Sequence, residues 1–592
     1  MPRFSAFFST NNQISNRFAL TSHAHGNAAV FNFENLSAVG ELTIYNRAEI
    51  KRDLAINEDF SDGKIFLRLF AKYGIKGFSC IEGLFTAAIF DGENLFIVRD
   101  AIGKKTLFYA NTKDVFLASS SLKSLLSFPQ VEKNLNIHAV ASFLTFAYLP
   151  DSETLLENVF ELKPAHVLKI SPKGKTELIN YYEPTEQIDE KISTEQHIKN
   201  LRQTLEKSIL NKLPDSNEDV GVFLSGGIDS SLVAALVAKF RPEKVRTYSI
   251  SFGKENPNET AYSDLVAAHC GTNHRVLSFN GKQIAKYLAE TVALLDCPVG
   301  DPLTVPNFLL AKAASEDGLT HVFNGEGGDP CFGGPKNLPM LIFALQQEQQ
   351  QNLATIYLHS YRKCFDDLPF LLSKDVQNEL RNKEEFAREL TQINANNSEF
   401  SSNSEDSRRF AGQTSSSEFG LHLERFVQPF LETPNMNFYL NRLLYVNIRT
   451  KLGHHILPKV ERMTSFWNLI GHSPLADKTI VDNSFTIPPE LKLHGTIEKW
   501  ILKEAVRDLL PNTIIDRPKS GMRVPVQAWL NGALRDLSND LLFGKKARER
   551  GLFQEKTIRT WLKGEGLVYA RQGGKLWLLL TLELWLQAFL DD

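Results

Sequence analysis

Residues 221–236 read GVFLSGGIDSSLVAAL, an apolar run that breaks on a serine and two glycines and then resumes. The run before the break suits a buried strand, and SSLVAALVAKF after it suits a helix. The turn SGGIDS therefore joins the carboxyl end of a strand to the amino end of a helix. Free backbone N–H groups and the positive end of the helix dipole gather at such a point, and they attract anions. Leu224 ends the apolar run. Gly226 and Gly227 let the backbone approach a ligand and take φ > 0, Ser225, Ser230 and Ser231 offer hydroxyls, and Asp229 offers oxygen to Mg²⁺. A phosphate group fits this turn. The plain alternative is a helix N-cap with a glycine-rich turn, because Ser and Asp cap helices generally. No GKS or GKT follows, so the turn is not a Walker loop.

Outward from this turn, strands and helices alternate. VGVFLS, VRTYSISF, HRVLSF and HVFNGEGG read as strands, with helical stretches between them. Such alternation predicts a doubly wound parallel sheet with helices on both faces. Behind the apolar strand THVFN, the loop NGEGGD at 324–329 carries two carboxylates three residues apart. Asp329 is placed to share a metal with Asp229, and Glu326 to face a substrate. A solvated acidic turn is the bland reading of that loop taken alone.

Residues 20 to about 180 instead favour hairpins: GELTIYN, LFTAAIFDGENLFIVRD around DGEN, LFYA with VFLASS, and HVLKISPKGKTELINYY around PKGK. The polar stretch EPTEQIDEKISTEQ at 183–196 reads as a linker before the helical IKNLRQTLEKSILNKL. Two domains are expected, 1–185 and 197–592. Residues 393–418, rich in Ser, Asn and Glu, are expected to be a disordered insertion.

A length of 592 residues exceeds one core, and 43% apolar and 10% aromatic content is ordinary for a folded chain. The formal charge of −3 leaves no large basic field, so nucleic acid is not the expected partner. The five cysteines are scattered without a CxxC pair, which suits reduced thiols in a cytoplasm. No secretory signal is visible at the start. LWLLLTLELWLQAFL at 576–590 carries Glu583 and Gln587 and falls short of the ~20 residues that span a bilayer. It is expected to be a buried helix, with no membrane partner. Oligomeric state is not legible.

SGGIDSS after an apolar strand resembles the pyrophosphate loop of the N-type ATP pyrophosphatases, and the chain resembles the asparagine synthetase family in particular. NGEGGDPCFGG at 324–334 and EKWILKEAVRDLLPNTIIDRPKSGMRVPVQAWL at 498–530 are similar to that family's second and third signatures. The resemblance implies an ATP- and Mg²⁺-dependent ligase that adenylates a small-molecule or peptide carboxylate, releases pyrophosphate, and transfers the acyl group to ammonia or an amine. On the same ground Asp229 and Asp329 would hold Mg²⁺-pyrophosphate, and Glu326 would lie near the attacking amine. Lys499 would stabilise the transition state, although as a lone residue it reads as a solvated helix lysine. Leu224, Ser225, Gly226, Gly227, Asp229, Ser230 and Gly325 would bind the nucleotide. Adenine would contact the backbone of Thr247–Phe252, with Ser249 and Phe252 in that segment.

The amino-terminal part resembles the class II glutamine amidotransferase fold, in GELTIYNRAEI and in IEGLFTAAIFDGENLFIVRDAIGKKTLFY. That fold releases ammonia with an amino-terminal cysteine. This sequence reads Met1–Pro2–Arg3, has no cysteine before Cys80, and carries SDGK at 61–64 where glutamine-binding members carry an SDTE-like run. Ser5 is poorly placed to replace the thiol, because an N-terminal nucleophile uses its own α-amine as base. An inactive glutaminase is expected. IGHSPLAD at 470–477 puts His472 where the family's pocket-shaping stretch has arginine. These departures resemble relatives that close amides within a substrate, the lasso-peptide macrolactam cyclases and β-lactam synthetases, although Glu326 stands where the latter carry tyrosine. A non-catalytic peptide-binding scaffold and a tRNA-modifying pyrophosphatase are the readings from other classes.

Overall fold

The computed structural model describes residues 3–9, 18–23, 28–215, 218–253, 259–334, 337, 353–361, 363–382, 422–518, 522–563 and 569–591. The expected insertion at 393–418 lies outside them, as do Met1 and Pro2. The first eleven strands are β1 (Arg3–Ser9), β2 (Phe18–His23), β3 (Ala28–Phe33), β4 (Leu36–Ile44), β5 (Gly83–Phe90), β6 (Leu95–Arg99), β7 (Phe108–Asn111), β8 (Val115–Ser119), β9 (Val159–Glu161), β10 (His166–Ile170) and β11 (Thr176–Asn180). They form two antiparallel sheets, ordered β2-β1-β8-β7-β9 and β11-β10-β6-β5-β4-β3.

Alternation puts Phe4, Phe8, Val39, Ile97 and Phe116 between the two sheets. The helix Asp62–Tyr73 covers the outside of the second sheet with Ile65, Phe66 and Phe70. Phe78 stacks on Phe66 and Phe70 at 5.0 and 5.6 Å. Each such ring buries enough apolar surface to contribute roughly 1.5–3 kcal/mol. The helix Ile137–Phe146 covers the outside of the first sheet over Val115 and Leu117. The result is a four-layer sandwich, helix on sheet on sheet on helix. The hairpin turns at DGEN and PKGK fall where the sequence predicts them. Strands β1 to β3 and both covering helices are not anticipated by it.

The second architecture is a five-stranded parallel sheet of β12 (Val220–Phe223), β13 (Val245–Ser251), β14 (Asn273–Ser278), β15 (His321–Phe323) and β16 (Ile470–His472), ordered β14-β13-β12-β15-β16. The helices Thr194–Leu210, Ile228–Phe240 and Thr260–Cys270 share a core on one face. The helices Gly281–Leu294 and Thr304–Glu316 share another, with the terminal helix Tyr569–Phe589 packed behind them. Trp577 and Trp585 of that terminal helix are fully buried, and among the described residues no helix is long and apolar enough to cross a membrane. The order of connection reverses between β12 and β15. In open α/β sheets ligands bind at that switch point, outside the carboxyl ends of the strands.

Buried charges join the sandwich to the parallel-sheet part. The fully buried Arg99 pairs with Glu161 at 3.0 Å and donates to the Gly453 carbonyl at 2.7 Å. Lys105 bridges Glu41 (3.0 Å) and Glu461 (2.6 Å), and Lys104 meets Asp477 at 2.7 Å beside Lys212. Breaking one member of such a pair costs about 3–5 kcal/mol, because the other is left charged and buried.

Candidate active site

The SGG turn leaves β12 and enters the helix Ile228–Phe240 as the sequence predicts. Gly226 has φ +77°, and a Cβ there would lie 2.7 Å from the Ser263 nitrogen, so no other residue fits without strain. Its carbonyl accepts from Arg517 at 3.1 Å, and that guanidinium stacks on Tyr262 at 3.8 Å and pairs with Glu259. The Ser225 and Ser230 hydroxyls meet at 3.0 Å across the turn. The second loop, at the end of β15, lies directly on this helix start. A Cβ at Gly325 would come 2.5 Å from the Ser230 nitrogen.

Lys499 ties the two loops together. It is 1% exposed, not a solvated lysine, and sits in the left-handed region (φ +55°) just before the helix Trp500–Ala505. Its ammonium donates to Asp229 at 2.6 and 2.7 Å and also pairs with Asp329. The two carboxylates read from sequence as metal partners are thus brought together around a buried cation.

A cavity of about 480 Å³ opens over these loops, within the usual range for small-molecule sites. Leu224, Ser225, Gly227, Asp229, Ser230, Gly325, Glu326 and Asp329 all line it, so the expected site residues converge. Lys499 lies behind this wall, in a small hollow with Lys503 and Arg517. The side chains of β13 facing the cavity are Tyr248 and Ile250. The Ser249 hydroxyl is spent on the Leu224 carbonyl, and Phe252 packs edge-on against Trp529 at 5.5 Å. His472 does not line this cavity. It is buried at the sheet edge, between Tyr45 (3.2 Å) and His321 (2.8 Å), and burial drives its ring well below the ordinary histidine range.

The far half of the cavity carries residues that the sequence reading missed. Asp301, Lys363, Lys451, His455 and Lys459 all face it. Lys459 pairs with Asp301 at 2.5 Å. Burial pushes the Asp301 carboxyl up, but the Lys459 and His455 charges with the hydrogen bonds from Lys459 and the Leu303 N–H together hold the group below its ordinary range. Glu326 is raised by burial, with Lys459 opposing and Asp301 adding to the shift. Lys451 and His455 lie on a π-helical segment, Asn447–Ile456, a helix form that recurs at functional sites. The signal available in the sequence is the spacing K-x3-H-x3-K at 451, 455 and 459.

In the amino-terminal sandwich the corresponding groups are spent. Asp62 accepts from the Ile44 N–H at 2.8 Å and pairs with Arg47 at 2.6 Å. Ser5 is buried mid-strand, paired to β2 and β8, with its hydroxyl on Ser119 at 3.3 Å.

Fold and cavity together define a doubly wound α/β protein with a ligand crevice at its switch point, joined to an antiparallel sandwich. Residues 200–587 match the family model described as asparagine synthase, and residues 23–182 match that of a glutamine amidotransferase domain. The chain belongs to the asparagine synthase family. It is 24% identical over 557 residues to asparagine synthetase [glutamine-hydrolyzing] 1 of Bacillus subtilis, covering 92% of this chain and 84% of that one. It is 30% identical over 308 residues to a putative asparagine synthetase [glutamine-hydrolyzing] 2 of Methanocaldococcus jannaschii, covering 49% and 57%. It is also 26% identical over 317 residues to amidase chry2 of Gibberella zeae, covering 50% and 46%. The homologues mark a ligase-type enzyme.

Proposed function

We propose that this chain is an ATP-dependent amide ligase that adenylates a carboxylate and passes the acyl group to ammonia or a substrate amine. The observation that carries the reading is the convergence of the SGG turn and the NGEGGD loop on Lys499 at the head of one cavity. The helix start at Ile228 and the hydroxyls of Ser225 and Ser230 would hold the β- and γ-phosphates of ATP. A substrate carboxylate then attacks the α-phosphorus and pyrophosphate leaves. The amine attacks the acyl carbon, Glu326 takes its proton, and AMP departs with the bonding electrons.

Mg²⁺ suits the donor set, since it is commonly held by one or two carboxylates with substrate phosphates completing the shell. Asp229 and Asp329 would supply those carboxylates, and the ion would offset charge on the leaving pyrophosphate. Lys499 pairs with both aspartates, so the two carboxylates are held near each other.

Glutamine is not proposed as the nitrogen source, although relatives bear glutamine-hydrolysing names. Residues 1–79 contain no cysteine, and Asp62 is occupied by Arg47 and the Ile44 N–H. An intramolecular amine, as in macrolactam cyclases, is the second reading, and the absent thiol favours it. The test incubates the chain with Mg²⁺, ATP, ammonium and L-aspartate, and separately with peptides carrying an amine and a carboxylate, while nucleotide products are resolved. AMP and pyrophosphate in equal amounts are expected. ADP and free phosphate would overturn the proposal.

A further inference from the structure

Glu326 stands between two glycines, residues that leave a loop the most conformational freedom. Its N–H is taken by Asn324. The Asn324 Oδ1 accepts that N–H at 3.0 Å and the Ser473 hydroxyl at 2.9 Å, while its Nδ2 donates to the His472 carbonyl at 2.9 Å. A flipped amide would lose the bonds to Glu326 and His472, so the orientation is fixed. Asn324 is 5% exposed and lines the cavity. The His472 carbonyl also takes the Asn324 N–H, at 3.0 Å, and so anchors this residue twice. The His472 ring is held from both sides. Tyr45, which follows β4 of the sandwich, meets its Nδ1 at 3.2 Å, and His321 of β15 meets its Nε2 at 2.8 Å. Tyr45 is itself secured, with the Lys212 ammonium 4.4 Å from its ring centre and its N–H on the Glu82 carbonyl at 2.8 Å.

We infer that Asn324 is the positioning residue for Glu326, and that the amino-terminal sandwich sets its grip through Tyr45 and His472. The inference rests on the ligase reading, in which Glu326 takes a proton from the attacking amine. A base must stand within hydrogen-bond reach of that proton, and misplacement by about 1 Å can cost on the order of 10²-fold. Asp329, three residues further on, has a separate tether in Lys499, and the SGG turn has its own in Arg517. Loss of the Asn324 anchor therefore reaches the amine step and spares the nucleotide. His472 suits the link, because burial keeps its ring neutral, and a neutral imidazole offers one donor and one acceptor, enough for Tyr45 and His321. The sandwich thus reaches the base through a chain of uncharged contacts.

Two measurements on the full chain test this. The first needs no substrate and follows deuterium uptake at residues 324–326 by mass spectrometry. Tyr45→Phe, which removes one hydroxyl in the sandwich, is expected to speed uptake there roughly 2–10-fold, the worth of one hydrogen bond, and to leave the SGG turn unchanged. Ser473→Ala should do the same. The second compares amide formation with carboxylate-dependent return of pyrophosphate into ATP, using L-aspartate with ammonium or the peptide that turns over in the nucleotide assay. Asn324→Ala should lower amide formation roughly 10–100-fold, with the pyrophosphate reaction within a few fold. In a Glu326→Gln background the same change should cost nothing further, because residues that act as a unit are not additive. Uptake unmoved by both Tyr45→Phe and Ser473→Ala would overturn the anchor, and this arm does not depend on Asn324→Ala folding. An Asn324→Ala loss that persists undiminished beside Glu326→Gln would overturn the positioning role. Release of ADP in the nucleotide assay would sink the ligase reading and leave deuterium uptake to decide whether Asn324 holds Glu326.

Discussion

Asp62 and Glu326 are both carboxylates beside glycine on sequence stretches that mark functional loops in relatives, and the structure treats them oppositely. Asp62 is gripped by an arginine on one oxygen and a backbone N–H on the other. Glu326 faces a cavity, is raised by burial, and has Lys459 and Asp301 within electrostatic reach. The same contrast separates Ser5, sealed between strands, from Ser225 and Ser230, which line the cavity. A site is recognised by what its polar groups still have to offer. By that measure these polar groups of the sandwich are committed to its structure, and those of the crevice over the parallel sheet face open space.

The comparison breaks most visibly at Glu326. With Glu326→Gln, amide formation should fall by about 10²–10⁴, the usual contribution of a general base, while adenylation continues. Because burial raises this carboxyl, the unaltered rate should fall on the acid side at a pH above the ordinary carboxylate range, as the base becomes protonated. A pH profile that keeps its acid limb in Glu326→Gln would remove the assignment. Next, Lys499→Met should lower pyrophosphate release roughly 10²–10³-fold, as for one lost electrostatic donor, with affinity for a non-hydrolysable ATP analogue within a few fold. Calorimetry beside release rates separates the two. Affinity that falls in step with turnover would make Lys499 a ground-state ligand. The smallest effects belong to the sandwich. Asp62→Asn should cost about 1–2 kcal/mol in denaturant titration, discounted for the partly exposed Arg47, and Ser5→Ala about 0.5–1 kcal/mol. Neither should alter amide formation, and glutamate release from glutamine should stay at background throughout. Measurable glutaminase activity that Ser5→Ala abolishes would undo the contrast.

Much of the near half of the site was legible because its signals are local. SGG and NGEGGD are turn chemistry following apolar strands, and each loop is specified within six residues. The far half draws Asp301, Lys363 and the pair Lys451 and Lys459 from three separate segments, and no short window records their meeting. The spacing of 451, 455 and 459 is ordinary for a solvated helix face, so burial alone tells it apart. Lys499 was singled out only through its flanking pattern, since neither its burial nor a left-handed backbone at a lysine leaves a mark in sequence. In the fold, β16 is three residues long, too short for alternation to show, and the burial of His472 at the sheet edge is not legible from its sequence.

The π segment at Asn447–Ile456 serves two neighbours at once. It turns Lys451 and His455 toward the cavity, while the Gly453 carbonyl accepts from Arg99 and His454 meets Glu161 at 2.8 Å on the sandwich side. An ordinary α-helix turns about 100° per residue, so loss of a single residue here would swing one set of contacts away while the other stayed in register. In evolutionary terms the segment is a point where one codon deletion would reshape the cavity wall without disturbing the SGG turn. Related chains of altered selectivity should then differ here in length before they differ in the SGG turn.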